Sequence, residues 1–222
     1  MGHAFHATEP SRANRGGRTV IRVLLVHDAC LVRSALAEWL RREPDLGVFD
    51  TPWHSAPGRL RTVRPDVCAA DLECSDAYGI PPLGELAVRE PDRSPPRLLV
   101  MASANRPGLL KRAVDAGALG YVDKEGAAPD RLVRGIRRVA EGKRFVDDSL
   151  GFGFLQAAEM PLTRRELSVL SLAAEGASIA EIAGNLCLSH GTVRNYMAAI
   201  TRKTGARNRI DAIRISQGQG WL

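Results

Sequence analysis

The sequence predicts an α/β doubly wound domain with a flavodoxin-like strand order, followed by a small all-α helix-turn-helix domain. Short apolar strand patterns alternate with helical patterns between residues 20 and 142, and compact helical patterns follow between residues 162 and 205. The chain has 222 residues, of which 45% are hydrophobic and 25% are charged. This composition is sufficient to form the cores of two ordinary domains.

In the first part of the chain, apolar segments with a strand pattern are separated by amphipathic segments. The predicted strands cover residues 21–26, 46–49, 67–70, 98–101 and 121–122. The predicted helices cover residues 32–42, 56–63, 83–88, 109–116 and 129–141, and Pro57 and Gly58 weaken the second of them. Alternating βα units form a parallel sheet covered on both faces, and right-handed crossovers favour a doubly wound order.

The residues directly after these strands lie at the carboxyl edge of the sheet, where doubly wound domains bind their ligands. They are His27 and Asp28 after the first strand, Asp71 after the third, Ala102 and Ser103 after the fourth, and Lys124 after the fifth. Two carboxylates that converge with an ammonium group can hold Mg²⁺ and leave one carboxylate as a phosphoryl acceptor. Asp28 and Asp71 are the candidate metal ligands. For a single aspartate, a turn or a helix cap is the alternative interpretation.

Two capping boxes mark the helices of the second domain. Thr163 with Glu166, and Ser178 with Glu181, have the spacing at which the two side chains satisfy amides at a helix start. Ser189 is the predicted N-cap of a third helix, which follows a tight turn. Two helices joined by a short turn predict a helix-turn-helix.

The third helix of this domain has an apolar side and a polar side. A rotation of 100° per residue directs Val193 and Ile200 inward and turns a second set outward. That outward set is Gly191, Arg194, Asn195, Ala198 and Arg202. Arginine pairs bidentately with guanine and asparagine with adenine, so this face predicts DNA binding. A small helical bundle with a solvated basic face is the alternative interpretation.

A basic cluster follows on the same stretch of chain. It contains Arg202, Lys203, Arg207, Arg209 and Arg214, and Asp211 is the only acidic residue between positions 194 and 214. Such a cluster suits contacts with DNA phosphates, which position a protein on the duplex without reading its sequence.

Composition adds weaker constraints. The net charge of +6 favours a polyanionic partner. No apolar run approaches the ~20 residues that span a bilayer, and residues 1–18 lack the apolar core of a signal peptide and are predicted to be a disordered lead. The 4 cysteines show no metal-ligand spacing, which predicts free thiols in a reducing cytoplasm.

The second domain resembles the C-terminal DNA-binding domain of LuxR/NarL/FixJ-type regulators, in LTRRELSVLSLAAEG, IAEIAGNLCLS, GTVRNYMAAITRKTGARNR and AIRISQGQGWL. The resemblance implies that Arg194 and Asn195 read bases. It also implies contacts to the DNA backbone from Thr192, Tyr196, Arg202 and Lys203. The family often has a polar or basic residue where Ala198 stands, so the outer part of the base readout lacks a donor here.

The first domain resembles the receiver domain of bacterial two-component systems, in VIRVLLVHDACLVRSAL, RPDVCAADLE and DAGALGYVDKEG. The resemblance implies that Asp71 is the phospho-acceptor and that Asp28 is one of the paired metal-binding acids. It also aligns Lys124 with the lysine that the family has beside the phospho-acceptor aspartate.

The same comparison of motifs shows departures from the family pattern. The family normally has an acid where His27 stands, Thr or Ser where Ala102 stands, and Met-Pro where Cys74–Ser75 stand. Imidazole removes one oxygen ligand from a Mg²⁺ site. Alanine removes the hydroxyl that, by family analogy, holds a phosphoryl oxygen, and Ser103 replaces it only if the strand end shifts by one residue. These departures predict an atypical, degenerate receiver that is phosphorylated weakly or not at all.

The predicted organisation has four parts: a disordered lead (1–18), a receiver-like domain (19–142), a semi-flexible linker (143–160) and a LuxR-type helix-turn-helix domain (161–222). A closing helix is predicted from Asn208 to Gly218, and the resemblance to LuxR-type regulators implies that it pairs two copies on a two-fold DNA site. Ala212, Ile215 and Ser216 are the candidates for that second surface.

These features together predict a cytoplasmic bacterial transcription regulator, not an enzyme, that binds double-stranded DNA as a homodimer. One alternative is a conventional response regulator switched by phosphorylation of Asp71 from a sensor kinase. Another is a regulator that senses a small-molecule ligand or a protein through the receiver pocket. An enzyme built on Asp28, Asp71 and Lys124 is disfavoured, because the sequence has no Gly-rich phosphate loop or activated nucleophile–base pair.

Overall fold

The computed structural model describes residues 20–73, 86, 95–158 and 160–222. The predicted disordered lead at 1–18, the departure at Cys74–Ser75 and most of the helix predicted at 83–88 lie outside these residues. Within the described ranges, no helix has the length and apolar character that crossing a membrane requires.

The first domain is built on a sheet of six parallel strands in the order β2-β1-β3-β4-β5-β6. The strands are β1 (Ile21–Val26), β2 (Leu46–Thr51), β3 (Val67–Asp71), β4 (Arg97–Ala102), β5 (Gly120–Asp123) and β6 (Phe145–Val146). The doubly wound, flavodoxin-like prediction is confirmed for the first five strands. The sixth strand extends the sheet beyond the predicted domain boundary at residue 142.

Helices cover both faces of this sheet. They are α1 (Cys30–Leu40), α2 (Ala56–Val63), α3 (Pro107–Asp115) and α4 (Pro129–Ala140). Successive strand residues point to opposite faces, so Val23 and Leu25 pack under α1 and α4, while Leu24 and Val26 pack under α2 and α3. Pro57 lies in the first turn of α2, where its missing amide needs no partner, so it begins the helix instead of weakening it.

The segment predicted as a semi-flexible linker is largely ordered. After β6, residues Asp148–Leu150 form a 3₁₀ turn and Gly151–Ala158 form helix α5, which packs on α3. Phe145 and Leu150 are buried, and Gly153 allows α5 to approach the carbonyl of Ala104, where a Cβ would lie only 2.7 Å from that oxygen. The sequence did not predict this helix, because its two glycines lower helix propensity.

The second domain is a four-helix bundle: α6 (Arg164–Ala174), α7 (Ile179–Leu186), α8 (His190–Thr204) and α9 (Arg209–Gly218). Its core contains Leu170, Ile182, Val193 and Ile200, all fully buried. The chain reverses after α6 at Gly176, whose φ of +91° favours glycine.

Helix α9 corrects one sequence prediction. Of the three residues predicted for a second surface, Ala212 and Ser216 are fully buried and Ile215 is half-buried, while Ile210 is 77% exposed. The small side chains of Ala212 and Ser216 permit α9 to pack closely on α8 and α6, so the free face of this helix carries Ile210 instead.

The two domains touch through the end of α9 and the start of α3. The amide of Gly108 donates to the carbonyl oxygen of Gln219 (2.9 Å), and the Arg106 guanidinium donates to the carbonyl oxygen of Gln217 (3.3 Å). A side chain at position 108 would collide with the backbone of Gly220, so this approach requires glycine.

Candidate nucleic-acid interface and strand-end pocket

The helix-turn-helix is formed by α7 and α8. The Ser178–Glu181 capping box is present in full, with the Ser178 amide donating to Glu181 Oε2 (2.7 Å) and the Glu181 amide to Ser178 Oγ (3.2 Å). Cys187 ends α7 in the left-handed conformation (φ +53°), and Ser189 Oγ then accepts from the Thr192 amide (3.1 Å) to start α8. Local capping therefore fixes the angle at which α8 leaves the turn.

Helix α8 presents the polar face that its sequence predicts. Gly191, Arg194, Asn195, Ala198 and Arg202 are all exposed, whereas Val193 and Ile200 are fully buried. Thr192 and Tyr196 are half-buried; the Thr192 hydroxyl lies 2.8 Å from Ser189 Oγ, and the Tyr196 ring packs against the core. The predicted orientation of the helix is thus confirmed, and the contacts of these side chains with DNA remain predictions.

Several members of the basic cluster have partners within the domain. Lys203 Nζ lies 2.8 Å from Glu166 Oε2, the carboxylate that also caps α6 through the Thr163 amide (2.7 Å). Arg209 donates to the carbonyl oxygens at the end of α6, Ala173 (2.9 Å) and Ala177 (2.6 Å). The sequence does not reveal these roles, because the partners lie more than 30 positions away.

Asp211 pairs with two further cations of the cluster, Arg207 and Arg214. It accepts from the Arg207 amide (3.1 Å), from Arg214 (3.0 Å) and from the Arg207 guanidinium (3.3 Å), and these bonds lower its pKa to about 2. The two guanidinium groups remain largely exposed. Two positive charges share one carboxylate, so the end of the domain keeps a net positive charge that suits phosphate.

The lowered pKa of Asp211 predicts a pH-dependent stability. Its folded-state pKa of about 2 lies below the unfolded value of about 3.9, so the ionised carboxylate stabilises the fold above about pH 4. This contribution is lost as the pH falls through about 2. We expect Asp211→Asn to lower the melting temperature of the second domain at pH 7, with a smaller difference from wild type near pH 3. Asp130→Asn, which removes one partner of an exposed pair with Arg134, is the control and should show no such difference.

The second site lies at the carboxyl ends of β1, β3, β4 and β5. We call it the strand-end pocket and define it by His27, Asp28, Asp71, Glu73, Ala102, Ser103 and Lys124. The structure brings together all of the residues that the sequence predicts there. Glu73 is the member that sequence reasoning missed.

His27 and Asp71 are in direct contact inside the strand-end pocket. His27 Nε2 lies 3.2 Å from Asp71 Oδ2, and both side chains are buried. An imidazole nitrogen therefore stands at the side of Asp71 where a second acid would provide an oxygen ligand.

Asp28 is held by the start of the 3₁₀ turn at Trp53–Ser55. Its Oδ1 accepts from the Trp53 amide (2.8 Å), while its Oδ2 is buried and accepts from no other group in the described part of the chain. The Trp53 indole donates to the carbonyl oxygen of Asp71 (2.9 Å). Trp53, two residues after β2, thus contacts the side chain of Asp28 and the backbone of Asp71 from one side.

Lys124 and Glu73 fill the other side of the strand-end pocket. Lys124 Nζ lies 2.9 Å from Glu73 Oε2 and 3.5 Å from Asp71 Oδ1. The Ser103 amide donates to Glu73 Oε1 (2.7 Å), and the Glu73 amide donates to Asp71 Oδ1 (2.9 Å). The sequence signal that could have identified Glu73 is its place two residues after the end of β3, since Lys124 directly follows β5 at the same edge of the sheet.

Ser103 does not take the place of a hydroxyl at position 102. Ala102 still pairs with Asp123 as the last residue of β4, so the strand end does not shift. The Ser103 hydroxyl instead donates to Glu125 Oε1 (2.9 Å).

The donor set of this arrangement does not fit Mg²⁺, which requires near-octahedral oxygen ligands. Asp28 offers one carboxylate oxygen, His27 offers a nitrogen, and both oxygens of Asp71 already have partners. Across the described residues, no group of three or more His, Cys, Asp or Glu side chains is arranged to hold a metal ion.

Known proteins resemble this chain in both of its domains. The family model for bacterial regulatory proteins of the luxR family matches residues 160–216. Response regulator RamR of Streptomyces coelicolor is 50% identical over 203 residues, covering 91% of this chain and 98% of RamR. Transcriptional regulatory protein DesR of Bacillus subtilis is 33% identical over 205 residues, covering 91% of this chain and all of DesR (100%).

Solved structures show the same two-domain architecture. The response regulator ChrA of a haem-sensing two-component system has a TM-score of 0.52 and 27% identity, covering 91% of this chain and 99% of ChrA. RcsB in its complex with DNA has a TM-score of 0.59 and covers 90% of this chain and 99% of RcsB, with 23% identity, so it supports the fold alone. Because the similarity to RamR and DesR spans both domains, the chain belongs to the response regulators that act in transcription through a LuxR-type DNA-binding domain.

Proposed function

We propose that this DNA-binding transcriptional regulator controls its helix-turn-helix domain without standard phosphorylation of Asp71. The observation that carries the proposal is the set of partners around the Asp71 carboxylate. One oxygen lies 3.2 Å from His27 Nε2, and the other accepts from the Glu73 amide (2.9 Å) and lies 3.5 Å from Lys124 Nζ. These contacts crowd both oxygens of the candidate acceptor, and His27 replaces an oxygen ligand of the Mg²⁺ that would neutralise the incoming charge.

A small phosphodonor tests this proposal directly. We expect acetyl phosphate with Mg²⁺ to give no labelling of the full-length wild type above that of Asp71→Asn, measured by intact mass before and after treatment with hydroxylamine, which cleaves acyl phosphates. Strong labelling of the wild type that Asp71→Asn abolishes would show a conventional phosphorylation switch. A sensor kinase would then be the upstream partner.

The input signal is expected to be a small-molecule ligand or a protein that contacts the receiver. Such a partner has to bind the two states of the domain with different affinity, because equal binding shifts no equilibrium. A thermal-shift screen of the full chain against metabolite pools identifies candidate ligands. Variants with alanine substitutions outside the receiver should keep the shift for a ligand that acts at the receiver.

On DNA, we propose that Arg194 and Asn195 of α8 read bases, with Arg202 on the phosphates. Double-stranded DNA in the cytoplasm is the partner. A homodimer is the assembly that suits a small module, because linking two half-site contacts raises affinity through effective concentration. The exposed Ile210 on α9 is the apolar side chain through which two copies of the domain would pair.

A further inference from the structure

We propose that Glu73 supplies, from within the chain, the anion that the strand-end pocket is built to bind. This inference rests on the proposed function, in which Asp71 is not the switch. Lys124 and the Ser103 amide form a subsite for an anionic group next to Asp71, and the Glu73 carboxylate occupies that subsite.

The subsite consists of two donors from the ends of two strands. The Ser103 amide follows β4 and the Lys124 ammonium follows β5, and each donor meets a different oxygen of Glu73, at 2.7 Å and 2.9 Å. An ammonium group and a backbone amide that converge on one point are an anion-binding arrangement. The Glu73 side chain is only 12% exposed, so the carboxylate is enclosed by these donors and is not a solvated surface group.

The backbone geometry directs Glu73 into this position. Its amide donates to Asp71 Oδ1 (2.9 Å), which turns the chain just after β3 and brings the side chain back over the sheet edge. Of the two carboxylates that lie near Lys124 in the described part of the chain, Glu73 is the closer, at 2.9 Å against 3.5 Å for Asp71. Lys124 is therefore primarily the partner of Glu73.

An external dianion such as phosphate would have to displace this carboxylate. While Glu73 is present, the two donors are taken and a negative charge faces any second anion. Removing Glu73 takes its carboxylate away from the Ser103 amide and the Lys124 ammonium and removes its negative charge from the subsite, so both effects favour a second anion. The pocket without Glu73 is expected to bind a phosphate-sized anion that the wild type excludes.

The occupied subsite also reaches the domain contact. The carbonyl oxygen of Ser103 accepts from the Arg106 amide (3.3 Å), and Arg106 and Gly108 contact the end of α9. Glu73 thus fixes the start of the loop that touches the DNA-binding domain. The internal carboxylate holds this loop in one position without a transferred group.

The test measures binding of inorganic phosphate to the full chain by thermal shift and isothermal titration. We expect Glu73→Ala to gain a saturable phosphate-dependent rise in melting temperature, with binding at least about tenfold tighter than in wild type. Adding Lys124→Ala to Glu73→Ala should abolish the gain. An equal phosphate response in wild type and Glu73→Ala, or no response in a folded Glu73→Ala, overturns the proposal.

Two further variants keep the result interpretable. Glu73→Gln retains an acceptor for the Ser103 amide but loses the charge, so its gain in phosphate binding should lie between those of wild type and Glu73→Ala. If Glu73→Ala does not fold, the absence of any gain in phosphate binding by Glu73→Gln overturns the proposal. Glu125→Gln is the matched control, because Glu125 bonds the Ser103 hydroxyl and not its amide. A gain in Glu125→Gln as large as in the Glu73 variants would mean that any loss of negative charge suffices, and would also overturn it.

This experiment is independent of the labelling experiment. Labelling of wild-type Asp71 by acetyl phosphate contradicts the proposed function. The comparison of inorganic phosphate binding with and without Glu73 involves no transfer to Asp71 and judges only the inference.

Discussion

Arg194→Ala is expected to weaken binding to a specific DNA site by about 1–3 kcal/mol, roughly 5- to 150-fold, and to relax the preference at one base position. Arg194 is exposed on the outer face of α8, one residue from the buried Val193 that anchors the helix. Its removal takes away a bidentate base contact and leaves the core intact. The measurement is a binding titration on a footprinted site and on single-base variants of it.

Arg202→Ala serves as the comparison for this effect. It should weaken specific and non-specific sites about equally and reduce the slope of log affinity against log salt concentration by about 1, as expected for a phosphate contact. Lys203 is less suitable, because its ammonium pairs with Glu166 and its loss would disturb the α6 cap. Arg138→Ala, an exposed charge change on α4, is the control and should leave DNA binding unchanged. Identical behaviour of Arg194→Ala and Arg202→Ala would contradict the assigned roles.

Ile200→Ala is expected to destabilise the helix-turn-helix domain by about 2–5 kcal/mol, because it removes a fully buried side chain and leaves a cavity. Most domains are stable by only about 5–15 kcal/mol, so this loss is large enough to melt the domain well below the wild-type temperature. Denaturant unfolding followed by circular dichroism and DNA binding at several temperatures measures the effect.

Ile210→Ala makes the same chemical change at a position that is 77% exposed. Its effect on unfolding should stay within about 0.5 kcal/mol. If two copies pair through this residue on DNA, its substitution should still reduce affinity for a two-half-site operator more than for a single half-site. A loss of stability as large as that of Ile200→Ala would contradict the burial on which both expectations rest.

Features encoded by neighbouring residues were readable from the sequence. The first five strands follow from short apolar runs; the predicted and observed bounds agree for β1 and within two residues for β2 to β5. The capping boxes at Thr163 and Ser178 depend on residues three positions apart, so they fix the start of α6 and α7 locally. The outward face of α8 follows from the helical rotation alone, because Val193 and Ile200 anchor its inner side.

Features that depend on distant partners were not readable. The contact between Glu73 and the Ser103 amide joins residues 30 positions apart, and that between Lys203 and Glu166 joins residues 37 apart. In both cases the residue type suits several roles, and only the packed fold selects one. The same holds for Ile210, since helical periodicity gives the faces of α9 but not which of them meets the bundle.

Strand β6 has a consequence for how the first domain meets other chains. The Phe145 amide donates to the carbonyl oxygen of Leu119 (2.9 Å) and the Asp147 amide to that of Tyr121 (3.0 Å), so the chain itself satisfies the outer side of β5. An unpaired sheet margin can act as a template that recruits a foreign strand or seeds aggregation. On this side the exposed edge is therefore reduced to the two residues of β6, and such a short edge strand offers a foreign strand little backbone to pair with.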